Sequence, residues 1–177
     1  MHLLPEFYLL RRGPFCQLEV LRYHRVEINQ IHTSVDLRRL LKPYSWRLAI
    51  ECAGVILLDR ENLVLGGILG AMGDTHHVVA SPEVFLRPAM MVAGCTAIVA
   101  AHNHVSGGAD PSDADHRCFC RLWRASRSLG VHLLDFVIFG APGDFYSFRE
   151  RGHFASSDGP SGARVVNRSV SPAKTVI

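Results

Sequence analysis

The sequence predicts a single α/β domain built on a mixed β-sheet with helices on its faces. Short apolar runs, which are typical of buried strands, alternate along the chain with longer segments of helical periodicity. Two of these runs are separated by a turn of only three residues, and such a hairpin makes its two strands antiparallel. Because hairpins and strand–helix–strand connections occur together, a mixed sheet fits better than a doubly wound parallel sheet. The 177 residues, 48% of them hydrophobic, suffice for one sizeable core.

The beginning of the chain divides into an arm and the start of the domain. Residues 1–28 match no usable pattern, so we expect an N-terminal arm there and the domain itself over residues 29–153. Thr33 or Ser34 can cap a short helix that carries apolar side chains on one face. A hairpin follows, with an apolar strand at residues 53–58 and glycines in its return strand that favour a bulge.

The second half of the domain continues the alternation. Pro82 suits the first turn of a helix capped by Ser81. Beyond residue 153 the chain becomes rich in serine, glycine and proline, so residues 154–177 are expected to be a disordered tail. The elements predicted after the hairpin are a strand at 76–79, a helix at 82–94, a strand at 96–101, a helix at 112–128 and strands at 131–139 and 144–148.

The composition argues against a membrane-spanning or disulfide-stapled protein. No apolar run approaches the ~18 to 20 residues needed to cross a bilayer. The N-terminus lacks the charged and apolar regions of a secretory signal, so a cytoplasmic location is expected. The five cysteines are odd in number and include no Cys-x-x-Cys pair, which favours free thiols in a reducing compartment.

The most informative segment is a pair of histidines that precedes a serine and an aspartate. His102 and His104 are one residue apart at the end of an apolar run, so in an extended strand their side chains point the same way. A loop of turn-forming residues follows, and Ser112 and Asp115 lie where the next helix begins. Two histidines and one aspartate, with a position left for water, are typical of a catalytic zinc site that holds one Zn²⁺.

This spacing resembles the JAMM signature of the JAB/MPN+ metalloproteases, and the residues within and around the motif resemble the RadC-like branch of that family. The branch usually reads HNHPSG-x-x-x-PS-x-x-D, whereas this chain has Val105 in place of proline and Gly108 in place of an acidic residue. Weaker matches flank the motif over residues 30–152, and after Leu-Leu-Asp the chain has Phe136 where the family has histidine. The resemblance implies a curved mixed sheet between helices, the MPN or cytidine-deaminase-like architecture.

The resemblance also implies roles for two further residues. Glu51 precedes the first strand of the hairpin, where the family has a glutamate that serves as general base; Glu83 is the rival, but a first-turn acid is explained by the helix dipole. Ser112 can be an N-cap that forms a capping box with Asp115. The family's matching serine instead hydrogen-bonds the developing oxyanion, and we expect this catalytic role because a metal ligand is not expected to complete a capping box as well.

The resemblance favours a zinc-dependent hydrolase of peptide or isopeptide bonds, whose substrate would be a peptide or protein. Two alternatives stay open: a DNA-associated protein, as the family's historical repair label suggests, and a non-catalytic MPN scaffold. The net charge is +3, and Arg117, Arg121, Arg124 and Arg127 are spaced to share one helix face. That face is either solvated or a weak contact for phosphates. Substrate, oligomeric state and activity in isolation are not predicted.

Overall fold

The computed structural model describes residues 6–12, 18–25, 29–45, 51–72, 81–105, 107–141 and 143–154. Its described part is one seven-stranded sheet with three helices. The strands are β1 (Glu6–Arg12), β2 (Leu18–Arg25), β3 (Cys52–Leu58), β4 (Val64–Met72), β5 (Ala97–Asn103), β6 (His132–Phe139) and β7 (Phe145–Ser147). The helices are α1 (Ser34–Ser45), α2 (Pro82–Met91) and α3 (Asp113–Ser128).

The sheet is mixed, which confirms the predicted fold class. Its strand order is β2-β1-β4-β3-β5-β6-β7. β3 is antiparallel to both β4 and β5, whereas β5 and β6 are parallel and are connected through α3. A parallel pair needs such a crossover, and here the crossover brings the start of α3 to the end of β5.

Two apolar layers cover the two faces of the sheet. Side chains alternate along β3, so that Val55 and Leu57 belong to the core under α2 and α3, while Ile56 and Leu58 belong to the core under α1. The first core also contains Phe119 of α3. The helices therefore lie on both faces, and β3, β5 and β6 are almost entirely buried between them.

The hairpin of β3 and β4 contains the irregularity that its glycines favoured. The register shifts between Ala53 and Gly54 and again between Leu57 and Leu58. At Gly54 an added Cβ would lie 2.8 Å from the backbone oxygen of Ile68, so this position has no room for a side chain. Asp59 closes the turn by accepting the backbone N–H groups of Glu61 and Leu63 through its carboxylate.

Other predictions differ from the structure at the ends of strands, or concern residues that the structure does not describe. β5 extends to Asn103 instead of ending at Ala101, so His102 is part of the strand. No pattern in the sequence indicated β1 and β2, which lie within the segment expected to be an arm. They extend the sheet, because β1 pairs with β2 and, in parallel, with β4. The predicted strand at 76–79, and the tail apart from Phe154, are outside the described residues.

No helix in the described part of the chain is long and apolar enough to span a bilayer. Among the described residues, no disulfide joins any two of the cysteines Cys52, Cys95, Cys118 and Cys120. Cys52 and Cys118 are buried, and burial raises the pKa of both thiols, to about 11 for Cys118. These two thiols are therefore protonated and unreactive near neutral pH.

Candidate metal centre

The candidate site lies where β5 ends and α3 begins. His102 is the penultimate residue of β5, and His104 is the first residue beyond the strand. Residues 104–112, called here the ligand loop, lead to α3, whose third residue is Asp115. The backbone N–H of His104 donates to Phe139 at the end of the neighbouring β6, which extends the pairing by one residue past β5. The sheet thus fixes the two histidines and the crossover helix supplies the carboxylate.

The three predicted ligands converge. The Nε2 atom of His104 lies 3.2 Å from one oxygen of Asp115, and the Nε2 atom of His102 lies 3.4 Å from the other. The imidazole rings are 4.7 Å apart between centroids and nearly perpendicular. One ligand atom from each of the three residues lies within 4.8 Å of the others. His102 and Asp115 are buried, and the side chain of His104 is 12% exposed.

Backbone carbonyls fix the tautomer of both rings. The Nδ1 atom of His102 lies 3.3 Å from the carbonyl oxygen of Cys52, and that of His104 lies 3.0 Å from the carbonyl oxygen of Gly108. Because a carbonyl can only accept a hydrogen bond, we assign the proton to Nδ1 in each ring. Nε2 then faces Asp115: in the charged ring it carries a proton that it can donate to the carboxylate, and in the neutral ring it has a lone pair that a metal can bind. Metal-binding histidines are usually oriented by such a partner on the second ring nitrogen.

Asp115 has two sets of partners, and its Oδ2 atom contacts both Ser112 and His104, while Oδ1 faces His102. Its Oδ2 atom accepts from the backbone N–H of Ser112 at 2.8 Å and from the Ser112 hydroxyl at 2.6 Å. The backbone N–H of Asp115 donates back to the same hydroxyl at 3.2 Å, which completes a capping box at the start of α3. The capping box, which we did not expect at a metal ligand, is therefore present at a residue that also faces both histidines, and the metal-ligand role of Asp115 stays a prediction. The oxyanion role of Ser112 stays a prediction.

The buried and charged groups of the site shift one another's pKa values. Burial by itself would raise the pKa of Asp115, but hydrogen bonds from His104 and Ser112, with the nearby His102, lower it to about 2. The hydrogen bond that His104 donates to Asp115 raises the pKa of His104. Burial lowers the pKa of His102 and outweighs the attraction of the same carboxylate. A negative Asp115 and a neutral His102 are the protonation states that metal binding requires.

Glu51 lies at the edge of the same cluster. It is buried, at 9% exposure, and immediately precedes β3. Ala53 is the register partner of His102 in the antiparallel pair of β3 and β5, so continued pairing places Glu51 across from His104. The negative charge of Glu51 acts to raise the pKa of both histidines, which shows that its carboxylate is within electrostatic reach of them.

Asn103, which lies between the two histidines in sequence, holds the backbone of Cys52, whose carbonyl faces His102. Its side-chain oxygen accepts the backbone N–H of Cys52 at 2.7 Å, and the carbonyl of Cys52 faces His102. Asn103 therefore anchors the entry to β3, next to Glu51, a contact that was not predicted from the sequence. The partners of the two Nδ1 atoms were also missed, because backbone carbonyls carry no residue-specific signal.

The donor set suits a divalent transition metal. Two imidazole nitrogens and one carboxylate oxygen are the ligands of many catalytic zinc sites, and both tautomer-fixing contacts are present. The residues therefore fit the ion that the sequence predicts. The same donors also suit other first-row metals, and zinc in particular is a proposal.

Neither His116 nor the arginines of α3 belong to this cluster. His116, which follows Asp115, packs against Phe148 and His153. His76 and His77 are outside the described residues. Arg117, Arg121 and Arg124 are exposed on α3 and, among the described residues, form no ion pair within 4.0 Å.

Comparison with known families assigns most of this structure to one of them. Residues 31–153 match the family model described as "RadC-like JAB domain". The matched range covers more than half of the chain and includes Glu51, the two histidines, Ser112 and Asp115. The resemblance found in the motif is confirmed.

Proposed function

The chain belongs to the RadC-like JAB domain family, and from this premise we propose that it is a zinc-dependent hydrolase of peptide or isopeptide bonds. One observation carries the proposal. The imidazoles of His102 and His104 direct their Nε2 atoms at the two oxygens of Asp115 while their Nδ1 atoms face backbone carbonyls. A purely structural ion pair requires no such arrangement of both rings, whereas a metal site does.

His102, His104 and Asp115 would hold one zinc ion. When bound there, zinc supplies Lewis-acid chemistry, because a divalent cation lowers the pKa of a coordinated water from ~15.7 toward ~7 and polarises a carbonyl oxygen. Two neutral imidazoles and one carboxylate leave the ion a net positive charge, which favours this chemistry. The burial of His102 and Asp115 excludes bulk water from the ligands and strengthens their electrostatic interactions.

Glu51 is proposed as the general base. It takes a proton from the attacking water as the water oxygen bonds to the carbonyl carbon, and it delivers a proton to the leaving nitrogen as the C–N bond breaks. Its burial beside the histidines supports this role. Glu83, the rival carboxylate, lies in the first turn of α2, where the helix dipole explains an acid.

Ser112 is proposed as the donor to the oxyanion. In the present arrangement its hydroxyl hydrogen goes to Asp115. Rotation about the Cβ–Oγ bond frees that hydrogen once the Asp115 oxygen is shared with a cation. A donor of this kind typically raises kcat by a factor of about 10²–10³.

The test uses the zinc-loaded protein and a mixed library of linear peptides and lysine-branched isopeptides. New amino termini are read by mass spectrometry, with Glu51→Gln and Glu83→Gln as matched variants. We expect cleavage by the wild type and by Glu83→Gln. Glu51→Gln should keep its zinc and cleave about 10²–10⁴ times more slowly. No cleavage by the zinc-loaded wild type, or equal cleavage by Glu51→Gln, would support a non-catalytic scaffold instead.

The second candidate, a DNA-associated protein, has one observation in its favour: the exposed arginines of α3. If they contact phosphates, an Arg117/Arg121/Arg124 triple alanine variant should bind duplex DNA more weakly, and its salt dependence should flatten by about 0.9 per lost contact. An Arg38/Arg39 double alanine variant on α1 controls for net charge. Equal binding by the wild type and the triple variant would remove this candidate.

A further inference from the structure

The turn between β6 and β7 is joined to the ligand loop by hydrogen bonds. We call residues 140–144 the β6–β7 turn. Within the turn, the backbone N–H of Gly140 donates to the carbonyl of Asp144 at 3.2 Å, and that of Asp144 donates to Ala141 at 2.8 Å. Two bonds then cross to the ligand loop. Ala141 donates its N–H to Gly107 at 2.6 Å, and the carboxylate of Asp144 accepts the N–H of Ala109 at 2.7 Å.

The two segments are also in close steric contact at Gly140. A Cβ added there would lie 2.5 Å from the oxygen of Gly107 and 2.7 Å from both the nitrogen of Ala109 and the carbonyl carbon of Gly108. Such distances do not occur in real structures, and the atoms concerned are backbone that cannot rotate away. Gly140 does not have a positive φ, so this position requires glycine for space and not for conformation.

The two hydrogen bonds between the turn and the ligand loop lie on either side of Gly108, whose carbonyl oxygen orients His104. Gly108 lies between Gly107 and Ala109, both of which are bonded to the turn. The carbonyl oxygen of Gly108 is the partner of His104 Nδ1. A shift of the ligand loop away from the turn would therefore withdraw this acceptor from the His104 ring, whereas the carbonyl that orients His102 belongs to β3 and would stay in place.

We propose that Gly140 and Asp144 are positioning residues for the metal centre, which set the orientation and tautomer of His104 by holding the Gly108 carbonyl against it. The inference rests on the proposed metal site, but the orientation of His104 exists in the metal-free protein and is measurable there. Neither residue touches a ligand side chain directly. They act from the turn that follows β6, through the backbone of the ligand loop beside it.

The test compares Gly140→Ala and Asp144→Ala with two controls of similar local character. Gly143→Ala strains the same turn, since Gly143 has a φ of 95° but nothing within 4 Å of an added Cβ. Asp59→Ala removes an aspartate that closes a different turn with its carboxylate. Asp144→Asn keeps an oxygen that can accept from Ala109 and should restore the wild-type behaviour. Circular dichroism and thermal melting establish that each variant is folded.

Two readouts separate positioning from stability. Side-chain ¹⁵N spectra of the metal-free protein report the histidine tautomers, and competition with a chromophoric chelator reports the zinc dissociation constant. In Gly140→Ala and Asp144→Ala we expect His104 to lose its Nδ1–H tautomer preference while His102 keeps its own, and zinc to bind about 10–100-fold more weakly. Gly143→Ala and Asp59→Ala should lower the Tm without changing either readout.

An unchanged His104 spectrum in both folded test variants would overturn the proposal. If one of them does not fold, the other decides. If the wild type binds no zinc while its His104 still changes tautomer in the test variants, the proposed metal centre fails and the positioning role stands.

Discussion

The hydroxyl of Ser112 and the carboxylate of Asp115 are 2.6 Å apart, and the backbone N–H of each residue donates to the side chain of the other. The same carboxylate faces both histidines. Asp115 therefore has two roles. It completes the capping box that fixes the start of α3, and the same hydrogen bonds hold its carboxylate in place beside the two histidines. A ligand anchored in this way loses little conformational entropy on binding a metal.

Ser112→Ala should destabilise the metal-free protein by about 1 kcal/mol, because it removes the N-cap hydrogen bond of α3. Ser81→Ala is a matched control, since Ser81 is the N-cap residue of α2 but makes no side-chain capping bond. Its effect should be smaller. Denaturant unfolding measures both. Equal losses in the two variants would mean that the capping box contributes nothing to stability.

The two histidines should titrate with separate midpoints in the metal-free protein. The hydrogen bond that His104 donates to Asp115 raises the pKa of His104 above its ordinary value of 6.5, whereas burial lowers the pKa of His102 below it. NMR titration of the ring signals measures both. In Asp115→Asn both midpoints should fall, because the carboxylate acts to raise both. A midpoint for His102 above that of His104 would contradict this account of the site.

Acid should remove a contribution of Asp115 to stability. Its pKa is lowered from 3.8 to about 2 in the folded state, so this contribution is complete above pH 3.8 and is lost as the pH falls toward 2. The full difference corresponds to about 2 kcal/mol. His104 has the opposite sign: its raised pKa stabilises the fold below pH 6.5, and this is lost as the pH rises through the raised value.

Denaturant unfolding at a series of pH values measures the acid effect. Between pH 5 and 2 the wild type should lose more free energy of unfolding than Asp115→Asn. Parallel pH profiles for the two proteins would show that Asp115 has no folded-state partners in solution.

Gly54→Ala should destabilise the protein by about 1–3 kcal/mol, because its Cβ would lie 2.8 Å from the backbone oxygen of Ile68 in the paired strand. Gly66→Ala, in β4, has nothing within 4 Å of the added Cβ and should be neutral or slightly stabilising. Thermal melting distinguishes them. A similar Tm for the two variants would indicate that β3 and β4 adjust their spacing freely.

The ligands could be predicted from the sequence because local rules govern them. Period-two alternation places His102 and His104 on one side of an extended segment, and a crossover after a parallel strand returns α3 to the strand end. The buried strands and three helices follow from apolar periodicity for the same reason. The extension of β5 to Asn103 was missed because polar residues end an apolar pattern even where backbone pairing continues.

The support of the site could not be predicted in this way. The carbonyls of Cys52 and Gly108 orient the histidines through backbone atoms, which any residue provides. The contact of Gly140 with the ligand loop joins segments more than thirty residues apart in sequence. Gly140 does not have a positive φ, so no turn pattern in the sequence predicts that this position requires glycine. The capping box at Asp115 was not expected because its carboxylate was assigned a single partner, whereas the Oδ2 atom contacts both Ser112 and His104.

Metal analysis of the purified protein tests the central claim most directly. Wild type, His104→Ala and Asp115→Ala are loaded with zinc and dialysed, with His132→Ala as control, because His132 is an exposed histidine at the far end of β6. We expect one zinc per chain in the wild type and in His132→Ala, and loss of bound zinc in the other two. Full zinc retention by both His104→Ala and Asp115→Ala would contradict the proposed centre.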